Sequence, residues 1–531
     1  MAPRFSVVTP VYDPPEHILR AAISSVREQT SRDWELILVD DASPSAHVRR
    51  VLEEAAAADR RVRTVFRPTN GGIVDASNDA LELATGEFVV LLDHDDLLDP
   101  TALAAVAAAV DAHPDTDYLY SDEDHITLEG YRVDPFYKPD WSPERLRSQN
   151  YCCHLSVLRR SLVDEVGRFR PGFDGSQDYD LVLRVTERAR HIHHIHQTLY
   201  HWRRIATSVS GNPSAKPYAY DAGRRAIQEH CDRMGIDAVV ESQEPLGTYR
   251  VRRKVLGDPL VSIIIPTCGS RGRVWGVERN YVVGAVQSIL DHASYRNVEF
   301  VIVADDTTPP PVIAALERVA GERLRLVWYD RPFNFSEKIN LGRVHSRGDY
   351  LLVLNDDIEV ISPDFIEVMV GLAQDPEVGT VGAKLLFSDG TLQHAGHVYN
   401  GDPYHIFFKF HGTEVGPSSM LKIQRECIGV TAACLMIRPE VFDAVGGLSA
   451  EFHSNFNDVD FALKIIRSGY RTVWSPYAEL YHFESVSRDP TVTQSEYDLL
   501  RRRWDHALEI DPYYNTNLVS KRYDWVERGI R

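Results

Sequence analysis

Acidic residues recur twice in this 531-residue chain in a spacing that suits metal and phosphate chemistry. In the first half, Asp93 and Asp95 flank a single residue directly after an apolar run. Both follow one predicted strand, so their carboxylates can point to the same side, where they repel each other unless a cation lies between them. Oxygen ligands of this kind hold Mg²⁺ or Mn²⁺, ions that also bind substrate phosphates. A single pair is more often a solvated acidic turn, so the metal interpretation depends on repetition.

The second half of the chain repeats the pattern. An Asn, a Gly and an Asp separated by eight and then nine residues occur as Asn78, Gly86 and Asp95, and again as Asn340, Gly348 and Asp357. The second acidic turn contains Asn355, Asp356 and Asp357. Agreement at so many ordered positions predicts two homologous domains, which we place at residues 1–245 and 246–531.

A further acid follows in each half. Asp178 and Asp458 each lie at the start of a predicted helix, with a second Asp two residues later. The second members, Asp180 and Asp460, are interpreted as partners of the helix N-terminus. For Asp178 and Asp458 we expect a general base that removes a proton from an attacking hydroxyl group.

Histidines complete the two constellations. His201 and His482 each follow a tyrosine and precede a Ser-Val-Ser run, at 208–210 and 485–487. A lone histidine is usually structural, but this shared context favours a nitrogen ligand to the same cation. The run from His191 to His196 suggests zinc, yet it has neither a cysteine pair nor helical i, i+4 spacing, and we set that interpretation aside.

Strands and helices must position these residues. Phe5–Pro10 and Val261–Thr267 are continuously apolar and predict buried parallel strands, and each is followed by an amphipathic stretch and a second strand that ends in acid. This alternation predicts an α/β fold with open, mostly parallel sheets whose ligands lie at the carboxyl ends of the strands. Asp40 ends such a strand, where it either caps a helix or accepts a hydrogen bond from a base or ribose. A helix near 218–234 joins the halves, and a C-terminal helix is expected from Gln494 to Leu508.

Composition excludes several classes of function. The net charge of −19 argues against nucleic acid as a partner, because phosphate binding needs a basic surface. The six cysteines form no CxxC pairs and are expected to be reduced thiols. No run of about eighteen apolar residues appears, so no membrane span is expected. We expect a cytoplasmic protein, with peripheral contact at the inner face of the cell membrane as the alternative.

On these residues the chain resembles glycosyltransferase family 2, nearly over its whole length and twice. It is most similar to tandem-domain enzymes for O-antigen, rhamnan and related surface polysaccharides. The runs that carry the resemblance are Gly175–Arg184, Leu199–Arg203, Val381–Leu386, Gln393–Gly396, Asn457–Asp460 and Leu480–His482.

The resemblance implies two tandem GT-A (Rossmann-like) domains, a nucleoside-diphosphate sugar donor linked to UDP or dTDP, a divalent metal (Mn²⁺ or Mg²⁺) and an inverting single displacement. By the same resemblance Asp40 reads the pyrimidine, and Asp178 and Asp458 are catalytic. The expected donor-binding residues are Thr9, Asp40, Asn78, Asp93, Thr267, Asp305, Asn340 and Asp356. The expected metal ligands are Asp93, Asp95, His201, Asp356, Asp357 and His482.

The second half departs from the family pattern in two places. Ala304 stands where Asp40 does, with Asp305 one step later, and Asn355 replaces Asp93. An amide oxygen coordinates a hard cation without charge, so weaker metal affinity is expected there.

Two functions follow. In the first, both domains add successive sugars to a growing glycan or lipid-linked glycan acceptor. In the alternative, one domain only binds the acceptor. A nucleotidyltransferase is disfavoured, because neither first strand is followed by a Gly-rich phosphate loop with a lysine.

Overall fold

The computed structural model describes residues 2–204, 217–483 and 492–529, and the chain divides into two compact units. Unit 1 comprises Met1–Trp141 and Leu146–Val251, and unit 2 comprises Ser142–Arg145 and Arg252–Arg531. The two Ser-Val-Ser runs lie outside the described residues.

Strands and helices alternate along much of the chain, as the sequence predicts. The strands of the first half are β1 (Phe5–Val11), β2 (Trp34–Asp40), β3 (Val62–Phe66), β4 (Phe88–Leu91), β5 (Leu97–Leu98), β6 (Thr116–Ile126), β7 (Arg132–Phe136), β8 (Ser156–Arg159), β9 (His191–Arg203), β10 (Ala238–Gln243) and β11 (Thr248–Arg253). Its helices are α1 (Glu16–Arg27), α2 (Ala46–Ala58), α3 (Ile73–Leu83), α4 (Ala102–Ala112), α5 (Pro143–Ser148), α6 (Arg160–Glu165), α7 (Gln177–Thr186) and α8 (Pro217–Arg233). Helix α8 is the helix predicted near 218–234.

The second half follows the same plan. Its strands are β12 (Val261–Thr267), β13 (Arg271–Val274), β14 (Val277–Asn280), β15 (Val298–Asp305), β16 (Leu324–Tyr329), β17 (Tyr350–Leu354), β18 (Ile358–Val360), β19 (Val378–Leu386), β20 (Leu392–His394), β21 (His397–Tyr399), β22 (Pro403–His405), β23 (Arg425–Glu426), β24 (Cys434–Ile437) and β25 (Arg471–His482). Its helices are α9 (Tyr281–His292), α10 (Pro310–Ala320), α11 (Phe335–His345), α12 (Phe365–Ala373), α13 (Pro439–Ala444), α14 (Asn457–Arg467) and α15 (Gln494–Trp504). Within the described ranges, no helix combines the length and the apolar character that crossing a membrane requires.

Each unit is built on one large sheet. In unit 1 the strand order is β3-β2-β1-β4-β8-β6-β9-β5, with β7 paired to β6. Strands β1 to β4 are parallel, and Val7 of β1 pairs with Leu36 and Val90. Strands of this kind are buried on both faces beneath helices, and all seven residues of β2 are buried.

Unit 2 repeats this topology. The order is β16-β15-β12-β17-β24-β19-β25-β18, and Ile263 of β12 pairs with Phe300 and Leu352. In both sheets antiparallel strands follow the parallel part. The predicted α/β class with two tandem domains is confirmed, and each sheet is mixed beyond its first four strands.

One buried hydrogen-bond network sets the register of the parallel strands. In unit 1 the Ser6 hydroxyl donates to the Glu35 carboxylate at 2.7 Å and accepts from the Gly86 amide at 2.8 Å. Burial raises the pKa of Glu35, but the hydrogen bonds from Ser6 and Thr85 outweigh it and lower the pKa overall. Unit 2 has the same network with Ser262, Glu299 and Gly348, at 2.6 and 2.8 Å. The glycines of the sequence repeat are therefore fixed by close approach to the first strand of each sheet.

The C-terminal helical extension is also confirmed. Helix α15 begins with a capping box from Thr493, which satisfies orphan amides of its first turn. At its end, Trp504 Nε1 and Arg503 donate to the buried Asp460 carboxylate at 2.8 and 2.9 Å. Asp180 of α7 likewise pairs with Arg170 and Arg184. Both aspartates lie in the first turn of their helices, as the sequence predicts, and both also form ion pairs there.

The glycine network makes a prediction for stability. A Cβ at Gly348 would lie 2.6 Å from the Ser262 backbone nitrogen, so Gly348→Ala should lower the free energy of unfolding by about 1–3 kcal/mol. Gly284→Ala in α9 is the matched control, because no atom lies within 4 Å of its added Cβ and helix propensity favours alanine. Urea unfolding of both variants checks this, and equal midpoints would contradict it.

Candidate active sites

A cleft in unit 2 lies at the carboxyl ends of the parallel strands, where ligands of open α/β sheets bind. Its cavity volume is about 320 Å³. The residues that line it include six of those predicted from sequence, namely Thr267, Asp305, Asp356, Asp357, Asp458 and His482. The fold therefore brings together residues that are far apart in the chain.

One wall of the cleft pairs a carboxylate with an imidazole. His482 Nε2 lies 3.1 Å from Asp357 Oδ1 and 3.0 Å from the Asn355 amide nitrogen. Its other nitrogen, Nδ1, lies 2.5 Å from Gln393 Oε1, an acceptor that places the ring proton on Nδ1. Nε2 therefore carries the lone pair, which accepts from the Asn355 amide and lies beside the Asp357 carboxylate.

Asp356 turns towards the first strand instead. Its carboxylate accepts from the Thr267 hydroxyl at 2.6 Å. Burial, reinforced by the neighbouring charge of Asp357, raises the pKa of Asp356 to about 7. Two adjacent carboxylates in a buried wall favour a cation between or beside them.

A buried lysine that the sequence analysis missed lies at the end of the cleft that Asp305 and Thr267 line. Lys338 of α11 is 1% exposed, and its Nζ lies 2.8 Å from Asp305 and donates to the Thr267 carbonyl at 2.9 Å. Lys338 lies two residues before Asn340, and the residue two before Asn78 in unit 1 is Ala76. The repeat therefore has a lysine at this position in unit 2 alone. This difference between the two repeats is the sequence signal that could have revealed the lysine.

Three histidines that the sequence analysis did not assign lie beside Asp458. They are His394, His397 and His405, and their ring nitrogens lie within 4.8 Å of one another. His397 Nε2 lies 3.8 Å from Asp458 Oδ2, and burial lowers the pKa of His397 to about 3, so that ring is neutral near pH 7. The Thr431 amide donates to His394 Nε2, which leaves the proton of a neutral ring on Nδ1, 2.7 Å from His405 Nδ1.

The acidic cluster of unit 1 has a different nitrogen neighbour from the one predicted. Asp93, Asp96 and His154 offer ligand atoms within 4.8 Å of one another. His154 stacks on Tyr200 at 4.2 Å between ring centroids, and burial lowers its pKa to about 3. Asp96 accepts from the Tyr200 hydroxyl at 2.6 Å, and burial raises its pKa well above the usual range, with Asp95 adding to the effect.

The structure places His201 outside that cluster, contrary to the prediction. Its Nδ1 lies 2.7 Å from Asp124 Oδ1. His201 pairs with Leu97, two residues after Asp95, whereas His482 pairs with Ile358, one residue after Asp357. A slip of one residue turns a strand side chain to the other face, so the two Tyr-His pairs are not equivalent. Trp202 takes the position that corresponds to His482, and its ring meets His154 edge-on at 5.3 Å.

The other predicted residues of unit 1 lie at strand and helix ends. Asp178 accepts from the Asn150 amide at 3.0 Å, and burial raises its pKa. Asp40 is buried at the end of β2 and accepts from the Ser43 amide at 3.1 Å. Thr9 is buried within β1, and Val11, not Thr9, corresponds to Thr267: Val11 pairs with Asp40 as Thr267 pairs with Ala304.

The repeated asparagines prove to be structural. Asn78 donates to the Phe169 carbonyl at 3.0 Å and accepts from its amide at 3.1 Å. Asn340 does the same with Leu448, at 2.8 and 3.0 Å. Each amide is engaged at both ends by backbone, and Asn340 does not line the cleft. These contacts give both asparagines a structural role and offer no support for the predicted donor contact.

Known proteins resemble this chain in both halves. The model of the family described as Glycosyl transferase family 2 matches residues 6–167 and 262–445, which is once in each unit. A crystal structure of S. aureus TarS 1–349 is 21% identical over 43% of this chain and 65% of that one, with a TM-score of 0.35.

Two relatives match nearly the whole chain. An uncharacterized protein of Sinorhizobium fredii, y4gI, is 44% identical over 99% of this chain and 58% of its own length. The O-antigen biosynthesis protein RfbC of Myxococcus xanthus is 38% identical over 98% of this chain and 41% of its own length. The chain thus spans about half the length of these relatives. Because the family model covers more than half of the chain, the chain belongs to glycosyltransferase family 2.

Proposed function

We propose that this glycosyltransferase is metal-dependent and inverting, and that both predicted domains, 1–245 and 246–531, are active. In this proposal they transfer sugars from nucleoside-diphosphate sugars to a growing surface glycan or lipid-linked glycan. The observation that carries the proposal is the cleft of unit 2, which Asp357 and His482 line together with Asp458. The name of the Myxococcus relative, an O-antigen biosynthesis protein, supports a surface glycan as the product.

The residues present fit a divalent cation. Asp357 Oδ1 and His482 Nε2 lie 3.1 Å apart, and Gln393 accepts at Nδ1, an orientation in which Nε2 would be the nitrogen that holds the ion once it replaces the Asn355 amide. In unit 1, Asp93 and Asp95 would hold the ion, and His154, which lies with Asp96 beside Asp93, would take the place of His201. Bound Mn²⁺ or Mg²⁺ supplies neutralisation of the charge that develops on the leaving diphosphate.

Proton transfer falls to the aspartates at the helix starts. As the acceptor hydroxyl attacks the anomeric carbon, the bond from that carbon to the diphosphate oxygen breaks and the configuration inverts. Asp458 takes the hydroxyl proton in unit 2, with the neutral His397 beside it. Asp178 does so in unit 1, where burial raises its pKa and suits it to act as a base near neutral pH.

Donor recognition differs between the units in this proposal. Asp40 ends β2 of unit 1 at the position that Ala304 holds in unit 2. In unit 2, the Lys338–Asp305 ion pair occupies the donor end of the cleft. We therefore propose two different donors.

The first prediction separates the two activities. Asp95→Asn and Asp357→Asn should each abolish one transfer reaction, by about a hundredfold or more, because each weakens metal-assisted neutralisation of the leaving group. Release of nucleoside diphosphate from a panel of nucleotide sugars measures this, with lipid-linked acceptors present. Asp498→Asn changes an exposed carboxylate of α15 and is the control.

The outcomes discriminate between the hypotheses. Loss of two different donor activities supports a bifunctional enzyme. If only one substitution matters, the other unit is the acceptor-binding module, and if neither matters the proposal fails.

The second prediction concerns the orientation of His482. Gln393→Met removes the acceptor for Nδ1, so the Mn²⁺ concentration needed for half-maximal activity of unit 2 should rise about 10- to 100-fold. Gln287→Met on the exposed face of α9 is the matched control. Activation curves recorded in the Asp95→Asn background isolate unit 2, and superimposable curves would refute the role of Gln393.

The third prediction concerns the buried lysine. Lys338→Met removes the partner of Asp305, and we expect the donor KM of unit 2 to rise about tenfold with a smaller change in kcat. Arg331→Met is the control: it removes an exposed cation that precedes α11 and pairs with Glu337 of that helix. An unchanged donor KM, with the fold intact by circular dichroism, would contradict the assignment.

A further inference from the structure

A second kind of metal chemistry is suggested by the histidine run of strand β9 in unit 1. In a strand, alternate side chains lie on one face, so His194 and His196 share a face while His193 lies on the other. Asp140, which precedes α5, approaches the same face. The two histidines, spaced i, i+2, are thus joined by a carboxylate more than fifty residues earlier in the chain. Sequence spacing alone does not reveal this group of three.

The three side chains converge on one point. Asp140 Oδ1 lies 3.1 Å from His194 Nδ1 and 2.9 Å from His196 Nε2. All three ligand atoms lie within 4.8 Å of one another. A tetrahedral Zn²⁺ with bonds of about 2.0–2.2 Å holds neighbouring ligand atoms roughly 3.3–3.5 Å apart, so small outward movements of these groups admit the ion.

A second carboxylate orients His194 from behind. His194 Nε2 lies 2.9 Å from Asp122 Oδ1, which also accepts from the Lys138 backbone amide. The ring stacks on Tyr120 at 4.8 Å between centroids, which restricts its rotation. When Nε2 donates its proton to Asp122, the lone pair of Nδ1 faces the Asp140 carboxylate. Two electron-rich atoms in this position repel each other unless a proton or a cation lies between them.

We propose that Asp140, His194 and His196 bind a Zn²⁺-type transition-metal cation, with water as the fourth ligand. Two imidazoles and one carboxylate match the ligand preference of Zn²⁺ and not that of Mg²⁺. The site opens to solvent on one side, because the side chains of Asp140 and His196 are 41% and 31% exposed. Asp122 provides the carboxylate–histidine–metal arrangement that fixes the orientation of a ligand histidine.

This ion would be distinct from the one proposed at Asp93 and Asp95. Its two histidine ligands lie in β9, five or more residues before His201, Asp140 lies between β7 and α5, and none of the three belongs to the acidic turn. In this position the cation ties the segment before α5 to the sheet. The competing arrangement is a protonated His194 that bridges Asp122 and Asp140 with no metal.

The experiment uses the full chain, stripped of metal and kept in excess Mg²⁺ so that the oxygen-rich sites are filled. Zn²⁺ is then titrated against a chromophoric chelator, and Co²⁺ is added separately to record its visible absorption. We expect His196→Gln and Asp140→Asn to lose one equivalent of tightly bound Zn²⁺ and the intense Co²⁺ band of low-coordinate nitrogen ligation. Asp122→Asn should weaken the affinity about 10- to 100-fold. His193→Gln, on the opposite face of the same strand, should leave both readouts unchanged.

Thermal unfolding guards against misfolded variants. Zn²⁺ should raise the Tm of the wild type and of His193→Gln, because a ligand that binds only the folded state stabilises it, and should leave that of His196→Gln unchanged. If the wild type retains no Zn²⁺ in excess Mg²⁺, or if His196→Gln and Asp140→Asn retain the same number of equivalents, the proposal is overturned. The protonated bridge at His194 is then the correct description.

Discussion

Both units depend on one buried contact, the hydrogen bond from a strand serine to the glutamate of the neighbouring strand. The hydroxyl of Ser6 donates to Glu35, and that of Ser262 donates to Glu299. Each serine hydroxyl also accepts from the amide of the glycine that precedes the third parallel strand. An ionised carboxylate inside a sheet is costly unless donors surround it, so the register that provides those donors is strongly preferred over its neighbours. With three parallel strands fixed in register, their carboxyl ends coincide. The acidic turns that follow then face the same space as the helices that carry Asp178 and Asp458.

Much of the architecture could be predicted from the sequence, because strand burial and the acidic repeat are local signals. The errors have physical causes. His201 was matched to His482 by its neighbours in sequence, but a slip of one residue in strand pairing reverses the face of a side chain. Asn78 and Asn340 recur at fixed spacing because the side chain of each forms hydrogen bonds with the backbone of a distant loop. Repetition alone therefore does not distinguish a structural residue from one that binds a ligand. Contacts across long separations, such as Gln393 with His482, leave no periodic signal.

The two units share their framework and differ where the strands end. By strand register, His154 of unit 1 stands where unit 2 has Ala433, and Trp202 stands where unit 2 has His482. Unit 1 thus places His154 beside Asp93 and Asp96 with the Trp202 ring edge-on to it, whereas unit 2 has a lysine at one end of its cleft. In the proposed assignment, duplication followed by substitution at such positions changes the donor that is recognised and leaves the buried network intact.

The attachment of α15 has a consequence for how unit 2 works. Trp504 and Arg503 donate to Asp460, which lies two residues after Asp458 on the first turn of α14. The orientation of that turn, and with it the position of the Asp458 carboxylate, is held from the far end of the chain. If Asp458 is the base, as proposed, a cut that releases α15 from Asp460 would lower the activity of unit 2. A partner that binds α15 would then act on the proposed base through the same contact.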